Sequence, residues 1–327
     1  MALARRLVVL RALGLGDLLT AVPALRALAD AFPHHQRVLA APRALAPLVA
    51  LIDGRDGSPA LDRLVDSDEL QPLAPELHGA DVAVNLHGAG PQSHRLLLAS
   101  RPRRALWFAC PDVPQSHGAP GWRAAEHEVQ RWCRLLGEHA ITADPNDLDL
   151  RPPPGGAPAA AVGATLIHPG AASPARRWPA ERFATVAAAE RRCGRPVVVT
   201  GNSSEVGLCR IVADRAGLPS GSVLAGSTDM AGLCRAVAAA ERVVCGDTGI
   251  AHLATALGTP SVVLFGPTSP REWGPPAARG RHRVLWVGET GDPHGSTPFP
   301  GLLRIGVDDV LDALDGLATD GGRREAA

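Results

Sequence analysis

Short apolar runs alternate with stretches of helical periodicity along almost the whole chain, and this alternation constrains the fold more than any other feature. It is clearest in the second half. Strands are expected at 164–167, 196–200, 222–224, 242–245 and 260–265, with helices at 179–192, 204–216, 229–240 and 248–257 between them. The first half repeats the scheme less plainly. Strands are expected at 7–10, 37–40, 81–86 and 105–108, and helices at 44–51 and 126–136. A further helix follows Asp17, where Leu18, Val22, Leu25, Leu28 and Ala29 recur at spacings of three and four. Strand–helix–strand repetition of this kind builds a parallel sheet with helices on its faces. A last helix over 307–317 carries Val310, Leu311, Leu314 and Leu317 on one face.

The alternation breaks at Arg151-Pro-Pro-Pro-Gly-Gly-Ala-Pro. Consecutive prolines continue neither a helix nor a central strand, and glycines follow them. An N-terminal domain over 1–152, a linker over 153–162 and a C-terminal domain over 163–327 are therefore expected. A length of 327 residues suits two domains.

Composition adds exclusions. With 33 basic and 33 acidic residues, the formal charge of zero gives no reason to expect nucleic acid as a partner. There is no Lys and no Tyr, a bias of GC-rich coding, so Arg can stand where relatives carry Lys. Six cysteines show no C-x-x-C or other ligand spacing and are expected to be reduced thiols. The N-terminal apolar run is cut by Arg11 and Asp17, too soon for a secretory signal, and no stretch is long enough to span a membrane. A cytoplasmic monomer is expected, with peripheral contact at the inner membrane left open.

Four segments could carry chemistry, each placed between an expected strand and helix. Cys245-Gly-Asp-Thr-Gly-Ile-Ala-His252 offers Asp247 and Thr248 as N-caps and Gly249 for close backbone approach. A helix start of this kind binds phosphate oxygens through free N–H groups and the helix dipole, though it could equally be a cap packed for stability. His168-Pro-Gly through Arg176-Arg177-Trp178-Pro179 adds two guanidiniums, each able to hold two phosphate oxygens or simply to face solvent. In Gly201-Asn-Ser-Ser-Glu205, the Glu suits ribose hydroxyls or the dipole of its own helix. Gly14-Leu-Gly-Asp17 lacks the third glycine of a dinucleotide fingerprint. Its Asp17 suits an N-cap, a general base for an acceptor hydroxyl, or both. Asp66-Ser-Asp68 and Asp147-Leu-Asp149 match a short acidic metal-holding pattern but lack its context, and no His spacing suggests a metal.

Taken in order, these segments resemble glycosyltransferase family 9, the heptosyltransferases, over nearly the whole chain. The resemblance is carried by Leu15-Gly16-Asp17 with Pro23 and Leu25, Asn85-Leu-His87-Gly, His168-Pro-Gly170 through Trp178-Pro179, and Gly201 to Glu205. Leu224-Ala-Gly226, Asp247-Thr-Gly-Ile-Ala-His252 and Phe265-Gly-Pro-Thr-Ser-Pro270 complete it. It implies a GT-B fold, two Rossmann-like α/β domains facing across a cleft, and metal-independent, inverting transfer without a cofactor. The donor implied is a nucleotide diphosphate sugar such as ADP-heptose. The acceptor hydroxyl would belong to a lipopolysaccharide core, another glycan, a glycolipid or a small metabolite. Asp17 is then the base, and Asn85 and His87 lie on the acceptor side. Asp247, Thr248, Gly249 and His252 meet the donor's diphosphate and sugar, and Glu205 meets its ribose. Where the family carries a phosphate-binding Lys before Trp-Pro, this chain has Arg176, with Arg177 next. Two other readings are a non-catalytic nucleotide-sugar-binding relative and a GT-B sugar-nucleotide epimerase, which would need no acceptor.

Overall fold

A computed structural model describes residues 5–324, with side chains described to residue 317. Residues 1–4 of the N-terminal stretch judged too short for a signal lie outside the described residues, as do residues 325–327 at the end of the expected C-terminal domain. The chain divides into two compact units, Met1–Leu150 and Arg151–Ala327.

The first unit runs β1 (Arg6–Leu10), α1 (Leu15–Thr20), α2 (Val22–Ala31), β2 (Gln36–Ala41), α3 (Ala46–Val49), β3 (Arg63–Asp66), β4 (Val82–Asn85), α4 (Gln92–Ala99), β5 (Arg104–Leu106) and α5 (Glu128–Gly137). Its five strands are parallel, in the order β3-β2-β1-β4-β5. Central β1 pairs Val8 with Val38 of β2 and Val9 with Val84 of β4, and helices cover both faces, so it reads as an unbroken apolar run. Val8, Leu10, Val38, Ala83 and Leu97 share one side of the core.

The second unit runs β6 (Thr165–His168), α6 (Ala180–Arg192), β7 (Val197–Val199), α7 (Val206–Ala216), α8 (Met230–Ala239), β8 (Arg242–Gly246), α9 (Gly249–Leu257), β9 (Ser261–Leu264), α10 (Pro270–Trp273), β10 (His282–Leu285), α11 (Pro300–Leu303) and α12 (Val307–Arg324). Its sheet is also parallel, ordered β10-β9-β8-β6-β7. Gly217 and Gly258 end α7 and α9 in the left-handed conformation, at φ 64° and 76°, which a side chain would oppose. Ile167, Phe183, Val199, Val244, Val262 and Leu314 belong to one buried core, to which α12 contributes the face expected of it.

Several expectations are corrected. The expected strand at 222–224 is a single bridge, Val199 to Val223, because Leu224 O is taken by Ser227 and Thr228. The helix expected over 44–51 is a 3-10 turn, Arg43–Leu45, followed by the one turn of α3, in a segment held by Pro42 and Pro47. Pro179 sits at the cap of α6 rather than inside its first turn. Asp17 is not an N-cap: Gly14 is, with extended backbone whose carbonyl accepts from Leu18 N at 3.1 Å. Asp147 has a structural partner, for Arg26 Nη1 lies 2.5 Å from its Oδ1 and also donates to its carbonyl. The same guanidinium donates to Asp53 O and Asp149 O, fastening the end of the first unit onto α2.

All six cysteines are free, and every one except Cys193 is buried. Trp178 anchors the second unit. It is fully buried, meets Phe183 edge-on with ring centroids 5.0 Å apart, and donates from Nε1 to Ile305 O at 3.0 Å. Trp178→Ala is expected to destabilise the second unit by about 3–5 kcal/mol. An unchanged urea midpoint for that unit would refute the anchoring role.

Candidate active site

In each sheet, one pair of adjacent strands is where the strand order reverses: β1 beside β4 in the first unit, β6 beside β8 in the second. Open parallel sheets bind ligands beyond the carboxyl ends of such a pair. The segments that follow these four strands carry Asp17, His87, Arg176 and Asp247 respectively.

In the first unit, the residue directly after β1 is Arg11, whose side chain has no solvent exposure. Its guanidinium donates from Nε to Asp17 O at 2.9 Å, from Nη2 to Thr20 Oγ1 at 3.0 Å and to Glu128 Oε1 at 3.2 Å, and from Nη1 to Leu86 O. It lies 4.8 Å from the centroid of the buried Trp132 ring, whose Nε1 also donates to Glu128 Oε1. Arg131 Nη1 takes the other oxygen of Glu128. Asp17 stands in the first turn of α1, 29% exposed, with Oδ1 3.6 Å from Arg11 Nη2. It therefore has a buried cation on one side and solvent on the other.

Asn85, the last residue of β4, is buried, and its amide is used by α4 and the loop before it. Its Nδ2 reaches Ser93 Oγ at 3.0 Å and His94 Nδ1 at 3.1 Å, and its Oδ1 accepts from His87 N at 3.0 Å. His94 Nε2 lies 2.8 Å from the carbonyl of Phe108, which can only accept, so Nε2 carries the proton and Nδ1 accepts from Asn85. Asn85, expected on the acceptor side, thus holds the loop that displays His87. The His87 ring is half-buried with Nδ1 unpartnered among the described residues, and burial, then Arg11, lower its pKa to about 4 against the pull of Asp17.

In the second unit, Ser173 begins a 3-10 turn, Pro174–Arg176, that lies over the ends of β8 and β9. Gly246 and Gly266 permit this, for a Cβ on Gly246 would sit 3.0 Å from Arg176 O, and one on Gly266 would sit 3.4 Å from Ala175 O. Arg176 Nη1 approaches Asp247 O at 3.4 Å and Asp247 Oδ2 at 4.0 Å, while its Nε has no partner among the described residues. Arg177 closes its own loop instead, donating from Nε to Ala171 O at 2.8 Å. Asp247 is almost wholly buried. Burial raises its pKa, and Arg176 and the Thr268 hydroxyl oppose the rise. Thr248 caps α9 by accepting from Ile250 N at 3.4 Å, and Ala251 N donates to Thr248 O. The N–H groups of Thr248 and Gly249 donate to no acceptor among the described residues. His252, one turn on, meets Trp273 edge-on at 6.0 Å. Glu205 Oε2 accepts from Asn202 N at 2.9 Å in a capping box, so its helix-end use is present. Its carboxylate also lies against Gly170, where a Cβ would fall 2.1 Å from Oε1.

The structure thus gathers Asp17 and His87 in one unit, and Arg176, Asp247, Thr248 and Gly249 in the other. Sequence reasoning missed Arg11 and Glu128, and gave Thr268, inside the Phe265–Pro270 segment, no role of its own. In the sequence Arg11 reads only as an interruption of an apolar run, and its burial among paired groups comes from the fold.

The model of glycosyltransferase family 9 (heptosyltransferase) matches residues 112–294. Lipopolysaccharide heptosyltransferase 2 of Salmonella typhimurium is 26% identical over 243 residues, covering 67% of this chain but only 59% of that protein's length. Among solved structures, a glycosyl transferase family 9 protein of Veillonella parvula aligns with a TM-score of 0.74 at 22% identity, over 98% of this chain and 99% of the other. The E. coli ADP-heptose lps heptosyltransferase II aligns with a TM-score of 0.75 at 20% identity, over 97% and 99%. These likenesses establish the fold as GT-B, each unit being a Rossmann-like parallel sheet.

His168, at the end of β6, supplies a pH test. Its Nδ1 lies 3.0 Å from Thr200 Oγ1, and burial lowers its pKa from 6.5 to about 4, with Glu205 pulling the other way. An unfolded chain protonates this ring first, so its stabilising contribution is complete above pH 6.5 and is lost as pH falls from there to about 4. The loss is expected to be on the order of 2–3 kcal/mol. Urea unfolding across that window should show a shallower pH slope for His168→Asn, and an identical slope would refute the account.

Proposed function

The chain belongs to glycosyltransferase family 9 (heptosyltransferase), and from that membership we propose that it transfers a heptose-like sugar from a nucleotide diphosphate donor to an acceptor hydroxyl, inverting the anomeric carbon. ADP-heptose is the expected donor, the sugar nucleotide after which the E. coli heptosyltransferase II is named. The observation that carries the reading lies beyond the β6/β8 pair. Arg176 has an unpartnered Nε and leans on a buried Asp247, beside the uncommitted N–H groups that open α9. That is a place for a diphosphate, with positive charge from a guanidinium and a helix N-terminus together.

In the proposed reaction, the acceptor oxygen attacks the anomeric carbon as its proton passes to the Asp17 carboxylate. The bond from that carbon to the diphosphate oxygen breaks, and its electron pair leaves with the nucleoside diphosphate. Arg176 and the start of α9 stabilise the growing negative charge, so the step calls on neither metal nor cofactor. Asp247 fixes Arg176 and accepts from sugar hydroxyls. Thr248, Gly249 and His252 border the sugar and diphosphate, and Glu205, beside Gly170, takes the ribose. Arg177 shapes the loop. His87, neutral at physiological pH, offers an uncharged hydrogen-bonding edge to the acceptor, and Asn85 holds it in place. The relatives' names support an acceptor of the lipopolysaccharide-core type. Another glycan, a glycolipid or a metabolite would suit the same chemistry. No described helix is long and apolar enough to cross a membrane. We take the enzyme to act as a cytoplasmic monomer that meets a lipid-borne acceptor at the inner membrane face.

Asp17→Asn is expected to lower kcat by roughly 10²–10⁴-fold while leaving donor affinity, measured calorimetrically, unchanged. ADP should raise the melting temperature of the wild type by mass action, and Arg176→Met and Asp247→Ala should lose that stabilisation. Preference for UDP, GDP or dTDP would move the donor to another sugar. Stabilisation by no nucleotide diphosphate would sink the transferase reading, and turnover of donor without acceptor would point to an epimerase.

A further inference from the structure

A cation with no exposure to water, held against the back of the proposed base, calls for an explanation beyond stability. Arg11 is met on every side. Asp17 O and Thr20 Oγ1 come from α1, Leu86 O from the residue just after β4, Glu128 Oε1 from α5, and the Trp132 ring lies alongside. Desolvating a guanidinium and a carboxylate is expensive, and well-packed apolar residues of similar size often serve stability as well or better. A buried ionic pair is therefore weak as a device for stability alone. What this pair does, which apolar residues could not, is fix one geometry. The planar fork binds two points of α1, the carbonyl of Asp17 and the hydroxyl of Thr20, and Thr20 Oγ1 donates in turn to the same Asp17 carbonyl at 2.8 Å. The fork also ties α1 to the loop after β4 that carries His87. Glu128 orients the guanidinium by accepting from Nη2, and is itself held by Trp132 Nε1 and Arg131 Nη1.

We propose that Arg11 and Glu128 form a positioning pair that sets the orientation of the Asp17 carboxylate and its register with the His87 loop. Neither residue need touch substrate. The proposal rests on Asp17 being the base, as argued above. Arg11 Nη2 lies 3.6 Å from Asp17 Oδ1, so the pair acts on the side of the carboxylate turned away from solvent. The exposed side is left to take the proton. A base displaced by an ångström can lose on the order of 10²-fold in rate, so a rigid backing is worth a buried charge pair.

The decisive variant removes both charges together. Arg11→Met with Glu128→Gln removes the Arg11 cation and leaves Arg131 held by the carbonyls of Arg123, Ala124 and Glu126 and by the glutamine amide oxygen, so it should fold with a melting temperature near that of the wild type. It should nevertheless turn over about 10–100-fold more slowly, with the donor KM unchanged. A purely structural pair predicts the reverse, with kcat recovering along with stability. Adding Asp17→Asn should cost the double variant no more than the loss Asp17→Asn alone inflicts beyond it, because both changes act through one carboxylate. Thr20→Val, which removes only a hydroxyl, serves as a milder probe should the double variant unfold, and is expected to lower kcat about fivefold at constant KM. Wild-type kcat in the folded double variant or in Thr20→Val, alongside an inactive Asp17→Asn, would overturn the positioning pair and leave the base standing. An active Asp17→Asn would overturn the base, and this inference with it.

Discussion

Parallel pairing places the carboxyl ends of all the strands in a sheet at one edge, and this polarity decides where the chain can carry chemistry. Strand interiors are buried on both faces and must be apolar, so polar function is confined to the residues that follow each strand. Both units obey this with different strand orders. In β3-β2-β1-β4-β5 the reversal lies between β1 and β4, and in β10-β9-β8-β6-β7 it lies between β6 and β8. At each reversal the two flanking connections cross to opposite faces of the sheet and leave room between them. Asp17 and His87 flank one such gap, Arg176 and Asp247 the other.

The two gaps use arginine in opposite ways. Arg11 is sealed, with its donors directed to protein acceptors and an aromatic ring along its side. Arg176 is half-buried, with one long contact to a carboxylate and one nitrogen unmatched. The same side chain is saturated with protein partners in one unit and left partly unsatisfied in the other. In a chain without lysine, this choice of partners substitutes for a choice of residue.

Legibility in the sequence followed burial. The central strands β1, β6, β8 and β9 are apolar runs and were read near their observed bounds. Strand β3, Arg-Leu-Val-Asp, and β10, His-Arg-Val-Leu, are edge strands whose polar residues conceal them. Helix α4 opens Gln-Ser-His-Arg and buries Ser93 and His94 through hydrogen bonds, so hydrophobic periodicity could not announce it. The candidate residues of the second unit stand out in the sequence because the arginines and the glycines with their threonine cap lie in strand-to-helix turns, after β6 and after β8. The backing of Asp17 does not, since Glu128 lies 117 residues from Arg11 and only the fold brings them together. The cap role given to Asp17 failed for a related reason: local rules see a helix start, whereas the carboxylate answers to a cation six residues back.

The cysteines show what burial does to reactivity. The thiols of Cys133 and Cys209 are pushed up to about 12 and that of Cys234 to about 11 by desolvation, and Cys245, wholly enclosed between β6 and β9, is raised as well. None of these forms the thiolate that alkylating reagents require at neutral pH. Cys193 is exposed where α6 ends, on the far side of the strand-to-helix loops. Cys110 is buried too, so among the described residues Cys193 is the one exposed cysteine, to which a fluorophore, spin label or surface tether can be attached without first deleting any other.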